Sequence, residues 1–99
     1  MIKSTSIAAK VSIRPIAKTL RGQVFRFILN KGAFGATLDE IQTGLDMGGN
    51  TARPRRKELE KKGLVIDSGA RRLTASNRQA IVWVIPDRVA AAARKKGML

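Results

Sequence analysis

The residues best suited to chemistry in this chain are basic. Arg53, Lys57 and Lys61 recur every four positions, a spacing that aligns side chains along one face of a helix. Asn50 and Thr51 stand at the leading end of that stripe, and Arg56 sits on its flank. Guanidinium and ammonium groups donate to phosphate oxygens or to the acceptor edge of guanine, and an asparagine amide matches adenine. Further along, Arg71, Arg72 and Arg78 flank the polar pair Ser76 and Asn77. Such a group suits phosphate, which fixes register without reading sequence. The competing accounts are a solvated helix face in the first case and charges that protect an exposed strand edge in the second.

The residues that are absent narrow the chemistry further. The chain has no histidine, cysteine or tyrosine. It therefore lacks the commonest general base, a thiolate nucleophile, a disulfide framework and any cysteine-based zinc site. Its Ser, Thr, Asp and Lys residues do not fall at the spacing of a catalytic set. An enzyme is disfavoured, and no cofactor is implied. Asp39, Glu40 and Asp46 could be read as metal ligands, but helix capping and the helix dipole account for the first two.

The composition agrees. Twenty Lys and Arg residues face seven Asp and Glu in 99 residues, for a net charge of +13 and an isoelectric point near 11.6. An anionic partner follows, nucleic acid first and an anionic membrane surface second. The charge is unevenly spread. Every charged residue from Met1 to Lys31 is basic, every one from Gly32 to Ala52 is acidic, and basic residues dominate again from Arg53. Ninety-nine residues make one small domain. The longest apolar run, Ala80 to Pro86, is far short of a membrane span. Lys3, Ser4, Thr5 and Ser6 interrupt any signal-peptide core. The lack of cysteine fits a reducing cytoplasm.

Three helices and a hairpin must position these groups. Residues 1–18 read as a basic arm, interrupted by Pro15. Thr19 is expected to cap a first helix that ends near Lys31, with Gly32 as its stop. Its Phe25 and Phe27 are expected in the core. Thr37 and Glu40 have the spacing of a capping box for a second helix, which carries Leu38, Ile41 and Leu45 and ends near Asp46. Thr51 is expected to cap a third helix that runs to Lys62, with Pro54 in its first turn and Gly63 after it. About 100° per residue, counted from a buried Leu59, puts Ala52 on the same face and Arg53, Lys57 and Lys61 nearly opposite. Arg55 falls near the core and is expected to lie along it or to pair with a carboxylate. From Leu64 the pattern shifts to strands. Leu64 to Ile66 make a short strand, Ser68 to Ala70 a bend, and Arg71 to Thr74 and Ala80 to Ile85 the arms of a hairpin with Ala75 to Gln79 at its tip. Ile81, Trp83 and Ile85 share one face and Val82 and Val84 the other, with Trp83 pinning the hairpin to the helices. Pro86 ends the strand, and Asp87 to Lys96 form an alanine-rich helix.

The order of three helices and a two-stranded hairpin resembles the winged helix-turn-helix family, in particular its small bacterial and phage DNA-binding members. The resemblance is carried by Thr37-Leu38-Asp39-Glu40-Ile41, by Asn50 through Val65 and by Arg71 through Trp83. It spans roughly Thr19 to Ile85. It implies an α+β fold with an arm at 1–18, a winged-helix domain at 19–86, and a C-terminal helix and basic tail at 87–99. It also implies that the third helix enters the major groove of double-stranded DNA while the wing meets phosphate or the minor groove. The expected role is transcription regulation in the cytoplasm of a bacterial cell or a phage-infected host. The expected contacts are Asn50, Thr51, Arg53, Arg56, Lys57, Lys61, Arg71, Arg72, Ser76, Asn77 and Arg78. The Z-form nucleic-acid binders of this family use an Asn and a Tyr where this chain has Arg53 and Lys57, so B-form DNA is favoured. The fold serves many tasks. A homodimer through residues 87–96, a host or phage protein partner in place of DNA, and a non-specific architectural or replication-associated role stay open.

Overall fold

A computed structural model describes residues 19–95. The arm at 1–18 and the last four residues lie outside the described residues. The first helix, α1 (Leu20–Lys31), starts where expected: the Thr19 hydroxyl accepts from the Gly22 amide at 2.9 Å. Val24, Phe25, Ile28 and Leu29 turn its apolar face inward. Gly32, at φ 57°, ends it, in a backbone region that glycine enters without strain. After a 3-10 turn at Gly32–Phe34 comes α2 (Leu38–Leu45), closed at its start by the expected capping box. The Thr37 hydroxyl accepts from the Glu40 amide, and the Glu40 carboxylate accepts from the Thr37 amide, each at 3.1 Å. Ile41 is the fully buried residue of this helix.

The start of the third helix differs from expectation. Helix α3 (Gly49–Lys61) is preceded by Gly48, with no side-chain cap, and Asn50 and Thr51 are already helical. Pro54 therefore lies in the second turn, not the first, and its missing N–H leaves the Asn50 carbonyl without its helical donor. The far end is as read: Gly63 has φ 76°, and the Leu64 amide returns to the Leu59 carbonyl at 2.9 Å.

The pieces expected between Leu64 and Thr74 merge into one strand that begins only at Ile66; Leu64 and Val65, expected in a strand, bend into it. β1 (Ile66–Leu73) pairs antiparallel with β2 (Gln79–Val84). Asp67 faces Trp83 and Arg71 faces Ile81, so Ser68, Gly69 and Ala70 together oppose Val82. The expected bend is a bulge within the ladder. Gly69 takes φ 92° there. The Asp67 carboxylate and the Ser68 hydroxyl accept from the amides of Gly69 and Ala70 at 2.8 and 3.1 Å.

β2 is held on its other edge too. Ala36 and Trp83 exchange both backbone hydrogen bonds, at 2.9 and 2.8 Å. This bridge seats the hairpin against the turn before α2. Trp83 and Ile85 are buried as expected, and Val82 on the opposite face is buried as well, against Gly35. The closing helix, α4 (Asp87–Lys95), contributes Ala90 and Ala93 to the same core as Val24, Ile28, Ile41, Leu59 and Trp83. Among the described residues no helix is long and apolar enough to cross a membrane.

Candidate nucleic-acid interface

The α3 stripe forms as its spacing requires. Leu59 and Ala52 are buried, and Arg53, Lys57 and Lys61 are exposed on the side turned from the core. None of the three has an ion-pair partner among the described residues. Asn50 is exposed at the leading end and Thr51 is half-buried. Arg55 lies near the core and pairs with Glu58 at 2.8 Å, both of which its helical position suggested. Glu58 also meets Arg21 of α1 at 3.6 Å.

Arg56 is engaged inside the fold. It is 8% exposed. Its Nη1 donates to Glu60 at 2.8 Å, and its guanidinium carbon lies 4.0 Å from the centroid of the Trp83 ring. One turn of helix separates Arg56 from Glu60, and the indole offers the electron-rich face that a guanidinium favours. Arg56 lies on the flank of the stripe, as its helical position requires. Its neighbour there is the wing strand, which covers it.

On the wing, the three arginines have three different surroundings. Arg71 is exposed and folds back on its own strand, donating to both oxygens of Asp67 at 3.1 and 3.3 Å and to the Ala70 carbonyl at 2.8 Å. The Gly69 amide and Arg71 together hold the Asp67 carboxyl below the ordinary aspartate range, the amide more strongly. Arg72 turns the other way, onto α2. Its Nε and Nη2 donate to the two Glu40 oxygens at 2.8 and 2.7 Å. This bidentate bond is the main cause that lowers the Glu40 pKa and raises that of Arg72. Arg78 is exposed at the tip, with no ion-pair partner among the described residues.

The tip residues Ser76 and Asn77 shape the turn. The Asn77 amide donates to the Thr74 carbonyl at 2.8 Å, and the Thr74 amide donates to the Arg78 carbonyl at 2.8 Å. Asn77 adopts φ 63°, a conformation that asparagine tolerates better than most residues. The Ser76 and Thr74 hydroxyls lie 3.1 Å apart.

The structure thus leaves Asn50, Arg53, Lys57 and Lys61 on α3, and Ser76, Asn77 and Arg78 at the tip, as the accessible part of the expected set. Arg56 and Arg72 are held by partners within the fold, and Arg71 is partly so. Local spacing could not reveal the Arg72 partner, since Glu40 lies 32 positions away. Among the described residues no group of three potential metal ligands comes together.

No protein-family model matches this chain, and no curated protein matches it. Solved structures do. The chain is similar to S. aureus MepR in a complex with DNA, at 16% identity and a TM-score of 0.59, over 96% of this chain and 74% of that one. It is also similar to TA0346 of Thermoplasma acidophilum, a candidate transcriptional regulator, at 17% identity and a TM-score of 0.51, over 80% of this chain and 84% of that one. At such identities the likeness is one of fold. The three helices, the bridge at Ala36 and the two-stranded wing make that fold a winged helix.

Proposed function

We propose that this winged-helix chain is a double-stranded DNA-binding transcription regulator that lays α3 in the major groove and rests its wing tip on phosphate. The observation that carries this reading is the row of Arg53, Lys57 and Lys61, exposed on one face of α3 and without carboxylate partners among the described residues. Three cations left unneutralised side by side repel one another and attract a polyanion. The DNA in the MepR complex and the net charge of +13 support the same partner. On this reading Asn50, Arg53 and Lys57 meet base edges, and Lys61, Arg78 and the turn at Ser76 and Asn77 meet the backbone. The chain works as a binding module in the cytoplasm, not as an enzyme.

The test is selection of bound duplexes from a random-sequence pool, followed by salt titration on the selected and on random duplexes. Arg53→Ala or Lys57→Ala shifts the selected motif, and Arg78→Ala weakens all duplexes alike. Each removed phosphate contact lowers the log–log salt slope by about one. Absence of duplex binding at about 100 mM salt overturns the reading, because non-specific affinity alone is measurable there for a protein so basic. Equal losses on selected and random duplexes for every variant overturn the sequence-reading part.

A further inference from the structure

We propose that Arg72 is a positioning residue for the duplex: anchored on Glu40, it sets the angle of the wing to the helices and so aims Arg78, without touching DNA itself. The proposal rests on the DNA-binding reading above. Its observations are independent of it.

Every nitrogen of the Arg72 guanidinium is used within the fold. Nε and Nη2 bind the two oxygens of Glu40 at 2.8 and 2.7 Å. Nη1 donates to the Phe34 carbonyl at 3.2 Å, and Nη2 also donates to the Gly35 carbonyl at 3.3 Å. The Phe34 ring covers one face of the group, 3.8 Å from ring centroid to guanidinium carbon. This accounts for a phenylalanine that is 59% exposed in a turn: it lies over a cation. Both two-pronged edges of the group are occupied, and one Nη1 hydrogen is left over.

The anchor joins three elements. Arg72 lies on β1, Phe34 and Gly35 in the turn after α1, and Glu40 in the first turn of α2. Glu40 also accepts from the Thr37 amide, so the group that caps α2 is the group that holds the wing. β2 is tied to the body by the backbone bridge from Trp83 to Ala36, close to the same turn. The two attachments hold the hairpin by both strands. Without Arg72, β1 loses its tie to the turn and to α2, and the tip that bears Arg78 moves about the attachments that β2 keeps, the Ala36 bridge and the Trp83 contact with Arg56.

Glu40→Gln separates the two roles an arginine can have. Glutamine serves at this position of a capping box, so α2 keeps its cap. The variant removes a negative charge and leaves every cation in place. If Arg72 were a phosphate contact, freeing it would tighten duplex binding. If Arg72 positions the wing, Glu40→Gln weakens binding by about threefold to tenfold and lowers the salt slope by about one, because Arg78 is no longer delivered. A double-mutant cycle gives the second readout. Arg78→Ala costs affinity in the native chain and little in the Arg72→Gln background, since the two act as a unit. Additive losses, with a slope lower by about two in the double variant, overturn the proposal. So does tighter or unchanged binding by Glu40→Gln.

A third readout needs no DNA. The chain has no cysteine, so Thr43→Cys and Ser76→Cys accept spin labels cleanly on α2 and on the wing tip. The proposal requires the distance distribution between them to broaden in Arg72→Gln and in Glu40→Gln. An unchanged distribution overturns it. If the native chain binds no duplex while the distribution broadens, the DNA reading has failed and the anchor has not.

Discussion

The Arg56 guanidinium stacks on the indole of Trp83, 4.0 Å from ring centroid to guanidinium carbon, and so couples the helix proposed to read DNA to the second strand of the wing. Arg56 is one turn behind Ala52 and almost as well buried as Trp83, at 8% against 6% exposure. Its charge is answered by Glu60 on the same helix. A cation over a desolvated indole contributes about 2 kcal/mol. Arg56→Met keeps the aliphatic stem in place and loses the charge. The expected outcome is a stability loss of about 1–2 kcal/mol with no change in the salt slope of duplex binding. Lys57→Ala does the reverse, with a stability change within about 0.5 kcal/mol and a slope lower by about one. Thermal melts and salt titrations of the two variants check this.

Gly35 is where the wing comes closest to the helical body. It has φ 67°, and a Cβ there would lie 2.6 Å from the Trp83 carbonyl oxygen and 2.7 Å from a Val82 methyl. The carbonyl is the one that accepts from Ala36, so it cannot move without breaking the bridge. Gly35→Ala is expected to cost about 2–4 kcal/mol. That lowers the melting midpoint by about 10 °C or more in a domain of this size. Gly63→Ala is the control: its φ is 76° and a Cβ there meets nothing within 4 Å. It pays the backbone strain alone, about 1 kcal/mol.

Acid weakens the wing anchor. The bidentate bond from Arg72, with help from the Thr37 amide and against some desolvation, holds the Glu40 carboxyl below its ordinary value of 4.5. The folded state then binds this proton less tightly than the unfolded state. The stabilisation is complete above the ordinary value and fades as pH falls through the lower folded one. Below about pH 4.5 the melting midpoint of the native chain is expected to fall faster than that of Glu40→Gln, and the gap between them closes. A gap that stays constant down to about pH 2 contradicts this assignment.

Asn77 serves the turn through its backbone conformation. At φ 63° it donates its amide to Thr74, a role that glycine fills equally well. Asn77→Gly is expected to keep the melting midpoint, and Asn77→Val to lose about 1–2 kcal/mol. Duplex affinity of Asn77→Gly reports directly on the side chain. An affinity within about twofold of native assigns the tip contact to Arg78 and the backbone, and a salt slope lower by about one in Arg78→Ala confirms the former.

The sequence alone determined what depends on neighbours three or four positions apart. The Thr19 and Thr37 caps, the stop at Gly32, the buried face of α1 and the exposed stripe of Arg53, Lys57 and Lys61 all follow from helical geometry, and all are found as read. The start of α3 is not legible in the sequence, because Gly48 caps it without a side chain and leaves no polar signal. The bulge at Ser68 to Ala70 looks like a break in the sequence, because glycine marks both. The tertiary structure alone decided which arginines are available. Arg53, Arg56, Arg72 and Arg78 carry the same charge in the sequence. Whether a guanidinium faces solvent or a ring and a carboxylate depends on chain that returns from far away, as β2 does over Arg56 and as Glu40 does beneath Arg72. Local spacing sets the direction in which a side chain leaves its helix or strand, and only packing sets what it meets there.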